Sequence, residues 1–330
     1  MRTPGSSPTM NVFRGTERGH MKTIDISRRR FVQIAGTAAV APFPLRGQGA
    51  AGPTAQTLVQ RLQSALGGEW IADGRDGFKA GDPNTPVKGI ATTAMATVNV
   101  LRQASEAGAN LIVTYEPTFF GRQDGPPAPA PASAQGRGRG GFRGLSPDDP
   151  VYQAKKAFIE KDGLVVFRLH DNWQSRKESD MTAALAEALG WGEYRVRPDD
   201  ALYEVPAASA EQTVALIREK LNLRGGLRAV GDRTAVVRRV LLFPGFMTPA
   251  TMWARYTEAD LTITGEVREW ENTLYAADMF TAGEKRGLVT IGRVVSEDPG
   301  MRACAEWLRT VVKEVPVRWI PAGDLYWRAV

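Results

Sequence analysis

Residues 87–120 read VKGIATTAMATVNVLRQASEAGANLIVTYEPTFF, and this stretch decides the fold that the sequence predicts. Two of its segments, VKGIATTA and NLIVT, are apolar and rich in β-branched residues, as buried strands are. Between them, Val98, Leu101 and Ala104 recur at helical spacing. A strand, a helix and a second strand in this order predict a right-handed crossover between parallel strands.

The rest of the chain continues this alternation of strand and helix patterns. Asp149-Pro150 is a favourable N-cap and first-turn pair, and Ser209 with Gln212 forms a capping box, so a helix is expected after each. Further strands are expected at VVFRL, VLLFP, DLTIT and GLVTIG, and a last helix over residues 301–312. The pattern predicts an α/β fold, with mainly parallel sheets and helices on their faces.

The excess positive charge of this chain lies in its N-terminal segment. The formal net charge is +6, and residues 1–48 hold eight of the 42 basic side chains but only two of the 36 acidic ones. The remaining 282 residues therefore carry 34 side chains of each sign. A balanced folded part has no electrostatic footprint for nucleic acid, so no nucleic-acid partner is expected.

The N-terminal segment has the plan of an export signal. The motif SRRRFV, beginning at Ser27, precedes the apolar run VQIAGTAAVAPF, which is too short to span a bilayer comfortably. It resembles a twin-arginine signal, so residues 1–50 are predicted to be a leader cleaved near Ala50-Ala51, with Met21 as an alternative start. The mature protein is expected to be periplasmic or exported, with no membrane segment and, since Cys304 is the only cysteine, no internal disulfide.

One predicted loop interrupts the alternation of strands and helices. Residues 121–148 include GRQDGPPAPAPASAQGRGRGGFRG, which is rich in Pro, Ala and Gly and contains four arginines. Such a composition cannot bury a core, so we predict a flexible surface insertion in an α/β domain over residues 51–320, with residues 321–330 as a tail. A single RGRGGFRG unit is only a weak indication of RNA binding.

Polar side chains follow four of the predicted strands, at the point where each strand ends. Loops at the carboxyl ends of parallel strands converge on one crevice, so these residues form the candidate site. They are Tyr115 and Glu116; His170, Asp171, Trp173 and Gln174; Glu266; and Arg293 with Glu297. For any one carboxylate, a helix cap or a solvated loop position is the alternative interpretation.

Four motifs in this order resemble the Nif-three-like family, also described as dinuclear-metal-centre or GTP cyclohydrolase-like proteins. They are the opening stretch through EPTFF, then VVFRLHDNWQ, DLTITGEVREWENTLYAAD and IGRVVSEDPGM. The resemblance spans roughly residues 70–312 and is closest to exported members with a twin-arginine leader. It implies an α/β subunit, a toroidal homohexamer and two metal ions bound inside each subunit.

The metal ligands that the resemblance implies are only partly present. The family has histidine, or histidine with glutamate, where this chain has Tyr115 and Glu116, and a carboxylate or histidine where it has Gln174. In the last motif Arg293 takes the place of a histidine, whereas Glu297 matches the family pattern. Most of the implied ligand histidines are therefore replaced.

The first of three open interpretations is a protein that works without metal. His170 is the only histidine after the leader, so a His-rich zinc or iron pair cannot be built. The guanidinium of Arg293, which is permanently charged, would instead pair with Glu116 and Glu297 and replace the metal charge. The protein is then a metal-free binding or assembly module.

The second interpretation keeps a metal in an all-oxygen site. Glu116, Glu297, Asp171 and Gln174 would bind Mg²⁺ or Mn²⁺, which prefer carboxylate and amide oxygens. A metal-bound water would make the protein a metal-dependent hydrolase, of cyclohydrolase or phosphoesterase type.

Roles for the other candidate residues follow from the same interpretation. Glu266 or Glu269 would serve as the general base. Tyr115, His170, Trp173 and Arg293 would line the site, with Trp173 stacking on a ligand. The third interpretation is a structural exported protein in which all these residues are solvated or capping.

Overall fold

The computed structural model describes residues 52–121, 124, 145–176 and 181–327. They belong to one compact unit, Ala50–Val330. The predicted leader and its cleavage site lie outside the described residues, as does most of the predicted insertion. In the part of the chain that is described, no helix is both long enough and apolar enough to cross a membrane.

Helices and strands alternate along the described chain. The helices are α1 (Ala55–Leu66), α2 (Val98–Glu106), α3 (Pro150–Lys161), α4 (Asp171–Gln174), α5 (Met181–Leu189), α6 (Ala210–Lys220), α7 (Pro249–Arg255), α8 (Leu274–Thr281) and α9 (Arg293–Val311). The strands are β1 (Gly77–Ala80), β2 (Ile90–Thr93), β3 (Leu111–Thr114), β4 (Val165–Arg168), β5 (Leu202–Ser209), β6 (Arg228–Val230), β7 (Val236–Phe246), β8 (Leu261–Glu266), β9 (Gly287–Thr290) and β10 (Val317–Trp319).

The strands form two five-stranded sheets, each with a parallel centre. The first sheet has the order β1-β4-β3-β2-β10, in which only the β1–β4 pair is antiparallel. The second has the order β5-β7-β8-β9-β6, with antiparallel pairs at both edges. Strands β2, β3 and β4 are buried along their whole length, as expected for parallel strands with helices on both faces.

Helix α9 packs against both sheets. It contacts β2 and β10 of the first sheet and β7 and β8 of the second. Its buried side chains include Met301, Cys304 and Leu308, which belong to the core beneath the first sheet. A Cβ at Gly300 would lie 2.1 Å from the Sδ of Met181, so glycine at this position permits the contact with α5.

Several local predictions were wrong or incomplete. Helix α9 begins at Arg293, eight residues before the predicted start, and continues through Pro299. The pattern of RVRPDDALYEV predicts a hairpin or two short strands, but the segment forms only one bridge, between Arg195 and Tyr203, because β5 pairs with β7. The spacing of Trp270 and Tyr275 predicts a helix, and its first turn is a π-helix over Glu269–Thr273. The edge strands β1 and β6 were not predicted.

Candidate functional site

Strand ends from both sheets meet beside the first turn of α9. Beyond the end of β3, the amides of Tyr115 and Glu116 donate to the carbonyls of Thr93 and Ala94 at 3.1 and 2.8 Å, which extends the pairing with the β2 segment by two residues. In the second sheet, β8 ends at Glu266, and the chain enters α9 at Arg293 shortly after β9. The predicted crevice therefore combines the carboxyl ends of strands from both sheets.

The guanidinium of Arg293 lies among three glutamates. Its Nε and one Nη donate to the same Oε1 of Glu116, at 2.9 and 2.7 Å. The other Nη donates to Glu266 Oε1 at 2.8 Å, and Nε lies 3.4 Å from Glu297 Oε1. A cation at a helix N-terminus is disfavoured by the helix dipole, so these carboxylates must stabilise it there.

Two glycines allow the first turn of α9 to approach the second sheet closely. Gly245 lies in a bulge of β7 with a φ of 75°, and a Cβ there would lie 2.5 Å from Glu297 Oε1. A Cβ at Gly265 would lie 2.4 Å from the Oγ of Ser296. Ser296 Oγ accepts from the Gly245 amide at 2.8 Å and donates to the Arg293 carbonyl at 2.6 Å. The helix start is therefore held at a fixed place against β7 and β8.

The carboxyl groups of the cluster stabilise the positive charge of Arg293. Burial raises the pKa of Glu297 well above its usual value, and the neighbouring Glu116 raises it further. Burial by itself would lower the pKa of Arg293, but Glu116 and Glu297 raise it above the usual value. Among the described residues, Oε2 of Glu297 has no hydrogen-bond partner. The cluster therefore contains one buried carboxyl oxygen that Arg293 does not satisfy.

Tyr115 and His170 form the wall next to this cluster. Their rings stack with centroids 4.2 Å apart and an interplanar angle of 17°. Burial, and then the charge of Arg75, lowers the pKa of His170 to about 4, so the imidazole is neutral near pH 7. Burial, and then Glu297 and Glu116, raises the pKa of Tyr115 above its usual value. Both rings are uncharged at neutral pH.

The segment before β1 supplies two residues that the sequence interpretation missed. The Arg75 guanidinium pairs with Asp171 at 2.6 Å and also lies 3.3 Å from His170 Nε2. The Asp76 carboxylate accepts from the amides of His170, Asp171 and Asn172 at 2.5 to 3.0 Å, which caps α4. The turn sequence DGRDG, with an acid beside glycines, was a usable but non-specific signal for such a cap.

The structure brings only part of the predicted site together. The cluster around the Arg293 guanidinium contains three of the predicted glutamates, Glu116, Glu266 and Glu297. Tyr115 lies next to this cluster, and His170 stacks on Tyr115.

Four other candidates lie elsewhere, for reasons visible in their contacts. Asp171 is engaged by Arg75, and Gln174 is exposed on α4. Trp173 is 1% exposed and packs in the core against Trp307, with ring centroids 5.3 Å apart, so it cannot line a ligand site. Glu269 is at the surface, where it pairs with Arg228 at 3.1 Å.

This donor set does not fit the dinuclear metal centre that the resemblance implies. A divalent ion needs several oxygen or nitrogen ligands directed at one point, about 2.0–2.6 Å away. Here the guanidinium of Arg293 contacts Glu116, Glu266 and Glu297 at the place where they converge, and its fixed charge repels a cation. Within the described ranges, no group of three or more His, Cys, Asp or Glu residues is arranged to hold a metal ion.

Comparison with known proteins gives consistent results for sequence and fold. A family model described as Duf34/NIF3 (NGG1p interacting factor 3) matches residues 141–322. A Clostridium perfringens protein named GTP cyclohydrolase 1 type 2 homolog is 25% identical over 200 residues, which are 58% of this chain and 68% of that protein.

Solved structures resemble this fold over most of its length. A Staphylococcus aureus protein superposes with a TM-score of 0.61 at 16% identity, over 84% of this chain and 99% of that one. A Bacillus cereus protein related to NIF3 gives a TM-score of 0.57 at 14% identity, over 82% and 96% of the two chains. These similarities show the fold, and the α/β class predicted from the sequence is confirmed.

Proposed function

The chain belongs to the Duf34/NIF3 family, and from that premise we propose that it is a metal-independent binding or assembly module. In this proposal the dinuclear site is degenerate and Arg293 supplies the positive charge that metal ions would otherwise supply. Its ligand is held through the Arg293–Glu266 pair, which is the solvent-exposed part of the cluster.

The observation that carries this proposal is the set of contacts made by Arg293. All three of its guanidinium nitrogens lie within 3.4 Å of a glutamate oxygen, and the glutamates come from three different segments of the chain. Buried carboxylates need a counter-charge, and a guanidinium provides it without any ion. The alternative, a Mg²⁺- or Mn²⁺-dependent hydrolase, requires the guanidinium to leave this position before an ion can enter.

Metal content tests the proposal through Arg293→His. Purified wild-type protein is expected to lose Mn²⁺ and Zn²⁺ on dialysis, whereas the variant should retain more metal, because an imidazole replaces a repelling cation beside Glu116 and Glu297. The measurement is elemental analysis by mass spectrometry after dialysis against each ion.

A matched control is available on the same helix. Arg302 pairs with Glu306 at the same four-residue spacing, with 3.3 Å between Nε and Oε1. Arg302→His should leave the metal content unchanged. Stoichiometric metal in dialysed wild-type protein would reject the arginine-replacement proposal and favour the hydrolase.

We also propose that the protein is exported by the twin-arginine route and forms a homo-oligomer, a hexamer by resemblance. The leader motif beginning at Ser27 supports export. Large apolar side chains are exposed on α7, on the π-helix and at the start of α8, among them Trp253, Trp270 and Leu274, and they support association of subunits. Under denaturing conditions, the mass of the periplasmic protein should match a chain that begins near residue 51. Under native conditions, mass spectrometry should give the mass of six such chains. Replacing Arg28 and Arg29 with lysine should leave the precursor in the cytoplasm.

Either of two results would contradict this pair of proposals. One is a periplasmic monomer in native mass spectra, which rejects the oligomer. The other is export of the double-lysine variant at the wild-type level, which rejects the twin-arginine route.

A further inference from the structure

A large cleft opens between the start of α9 and the C-terminal segment 321–327. Its volume is about 860 Å³. Its lining includes the polar residues Arg228, Glu266 and Arg293 and the aromatic residues Tyr326 and Trp327. Ligand sites in proteins have volumes of about 300–1,000 Å³ and combine apolar surface with a few directed polar groups. The cleft has the size and the mixed lining of such a site.

The C-terminal segment is held in place by specific polar contacts, although it forms no strand. The carboxylate of Asp298 accepts from the amides of Ala322 and Gly323 at 3.2 and 2.9 Å. Further along, the carboxylate of Asp324 accepts from the Gly225 amide at 2.6 Å, and Arg224 donates to the Asp324 carbonyl at 3.0 Å. The segment is thereby fastened to α9 at one point and to the turn after α6 at another.

Glycine at position 225 is also required for this arrangement. A Cβ there would lie 2.3 Å from the Cβ of Tyr326, so any larger residue would push the C-terminal segment away. Four hydrogen bonds and one close approach therefore position a segment that contributes little to the hydrophobic core. Ordering this segment costs conformational entropy that little core packing offsets, which suggests that its position serves a function.

The side chains that this segment presents are aromatic and exposed. Tyr326 is 74% exposed and Trp327 is 81% exposed, and both line the cleft. Rings of this kind stack on other flat rings with little loss of rotamer entropy. The backbone that leads to these rings is held by hydrogen bonds, of which the last joins the Tyr326 amide to Asp324 Oδ1 at 3.0 Å, so both rings are available to a ligand in the cleft.

The lining of the cleft also offers hydrogen-bonding groups. Glu266 is half exposed and shares one of its oxygens with Arg293, and Arg228 is exposed beside Glu269. These groups comprise N–H donors and carboxylate acceptors. The charged residues of the lining are Arg228, Arg293, Glu266 and Asp324, two of each sign, so the cleft carries no net formal charge. A strongly charged ligand is therefore not favoured, whereas a ring with donors and acceptors on its edge is.

We propose that this cleft binds a flat aromatic compound that carries a polar edge. The ring stacks on Tyr326 and Trp327, and the edge hydrogen-bonds to Glu266 and Arg228. This proposal rests on the proposed function in one respect, because it uses the ion pair between Glu266 and Arg293. The two rings and the backbone contacts of the C-terminal segment do not depend on whether Arg293 replaces a metal ion.

The test compares small probes by saturation-transfer NMR on the full-length mature protein. Benzamide, nicotinamide and adenine supply flat rings with polar edges, and cyclohexanecarboxamide has a similar edge on a saturated ring. The three aromatic probes should bind, and the saturated probe should bind about tenfold more weakly. Replacing Tyr326 and Trp327 together with serine should weaken the aromatic probes by about tenfold as well.

Two single substitutions sharpen this comparison. Gly225→Ala should weaken aromatic binding because it displaces the segment. Tyr194→Ala removes an exposed aromatic ring outside the cleft and should leave probe binding unchanged. Equal binding by wild type and the double-serine variant would overturn the proposal, as would equal binding of cyclohexanecarboxamide. Loss of oligomers in the double-serine variant, without probe binding to wild type, would assign the rings to a subunit contact. None of these variants alters Arg293, so the metal test can fail while this inference stands.

Discussion

Replacing Arg293 with methionine is expected to lower the free energy of unfolding by about 3 kcal/mol. Methionine keeps much of the side-chain volume but removes the cation that contacts Glu116, Glu266 and Glu297. Glu116 is 7% exposed and Glu297 2%, so little water reaches them to compensate. Because Arg293 keeps 31% side-chain exposure, the expected loss lies at the lower end of that for buried ion pairs. Urea denaturation near pH 7 measures it.

A second substitution in the same background separates charge from packing. Adding Glu116→Gln to Arg293→Met removes the carboxylate that receives two of the guanidinium hydrogen bonds, and should recover part of the lost stability. Arg302→Met, at an exposed i,i+4 pair, should cost less than about 0.5 kcal/mol. If Arg293→Met were no more harmful than Arg302→Met, the carboxylates would not depend on this cation, and the proposed function would lose its main support.

Acidification from pH 7 to pH 4 is expected to destabilise the protein through His170 by about 3 kcal/mol. Burial, with Arg75 beside it, lowers the pKa of this imidazole from 6.5 to about 4 in the folded state. Below pH 6.5 the unfolded chain binds a proton at this residue that the folded chain does not bind. The stabilising effect is therefore complete above pH 6.5 and is lost progressively as the pH falls towards 4.

His170→Phe is the variant that isolates this effect. Phenylalanine retains a ring to stack on Tyr115, and Arg75 and Asp171 still pair with each other. The free energy of unfolding of wild type, minus that of the variant, should fall by about 3 kcal/mol between pH 7 and pH 4. Glu297 acts with the opposite sign, since its raised pKa favours the folded state at low pH, so only this paired comparison is informative. A difference that does not change with pH would show that His170 titrates normally.

Sequence patterns predicted the helices that local chemistry determines. Asp149 and Ser209 cap α3 and α6 as expected, because a side chain that binds nearby amides acts within one turn. The start of α9 was missed because Pro299 and Gly300 resemble a helix end. Packing against two sheets stabilises the helix through that point, and such tertiary support is not visible in local sequence.

The candidate site was predictable to the extent that strand ends converge. Glu116 and Arg293 were identified because each follows a strand, although 177 residues separate them along the chain. Trp173 also follows a strand, but its burial against Trp307 depends on how α9 packs, which no local pattern indicates. Arg75 and Asp76 were missed because their partners lie about 95 residues away and nothing near them marks a strand end.

Helix α9 contributes both to the carboxylate cluster around Arg293 and to the hydrophobic core, so the number of residues between these two parts is constrained. Glu297 contacts Arg293 at one end of the helix, and Met301, Cys304 and Leu308 fill the core further along. An inserted or deleted residue between positions 297 and 301 would turn one part by about 100° relative to the other. The chain would then have to give up either its carboxylate cluster or its core, so we expect variation in length here to be far less tolerated than in the surface loops.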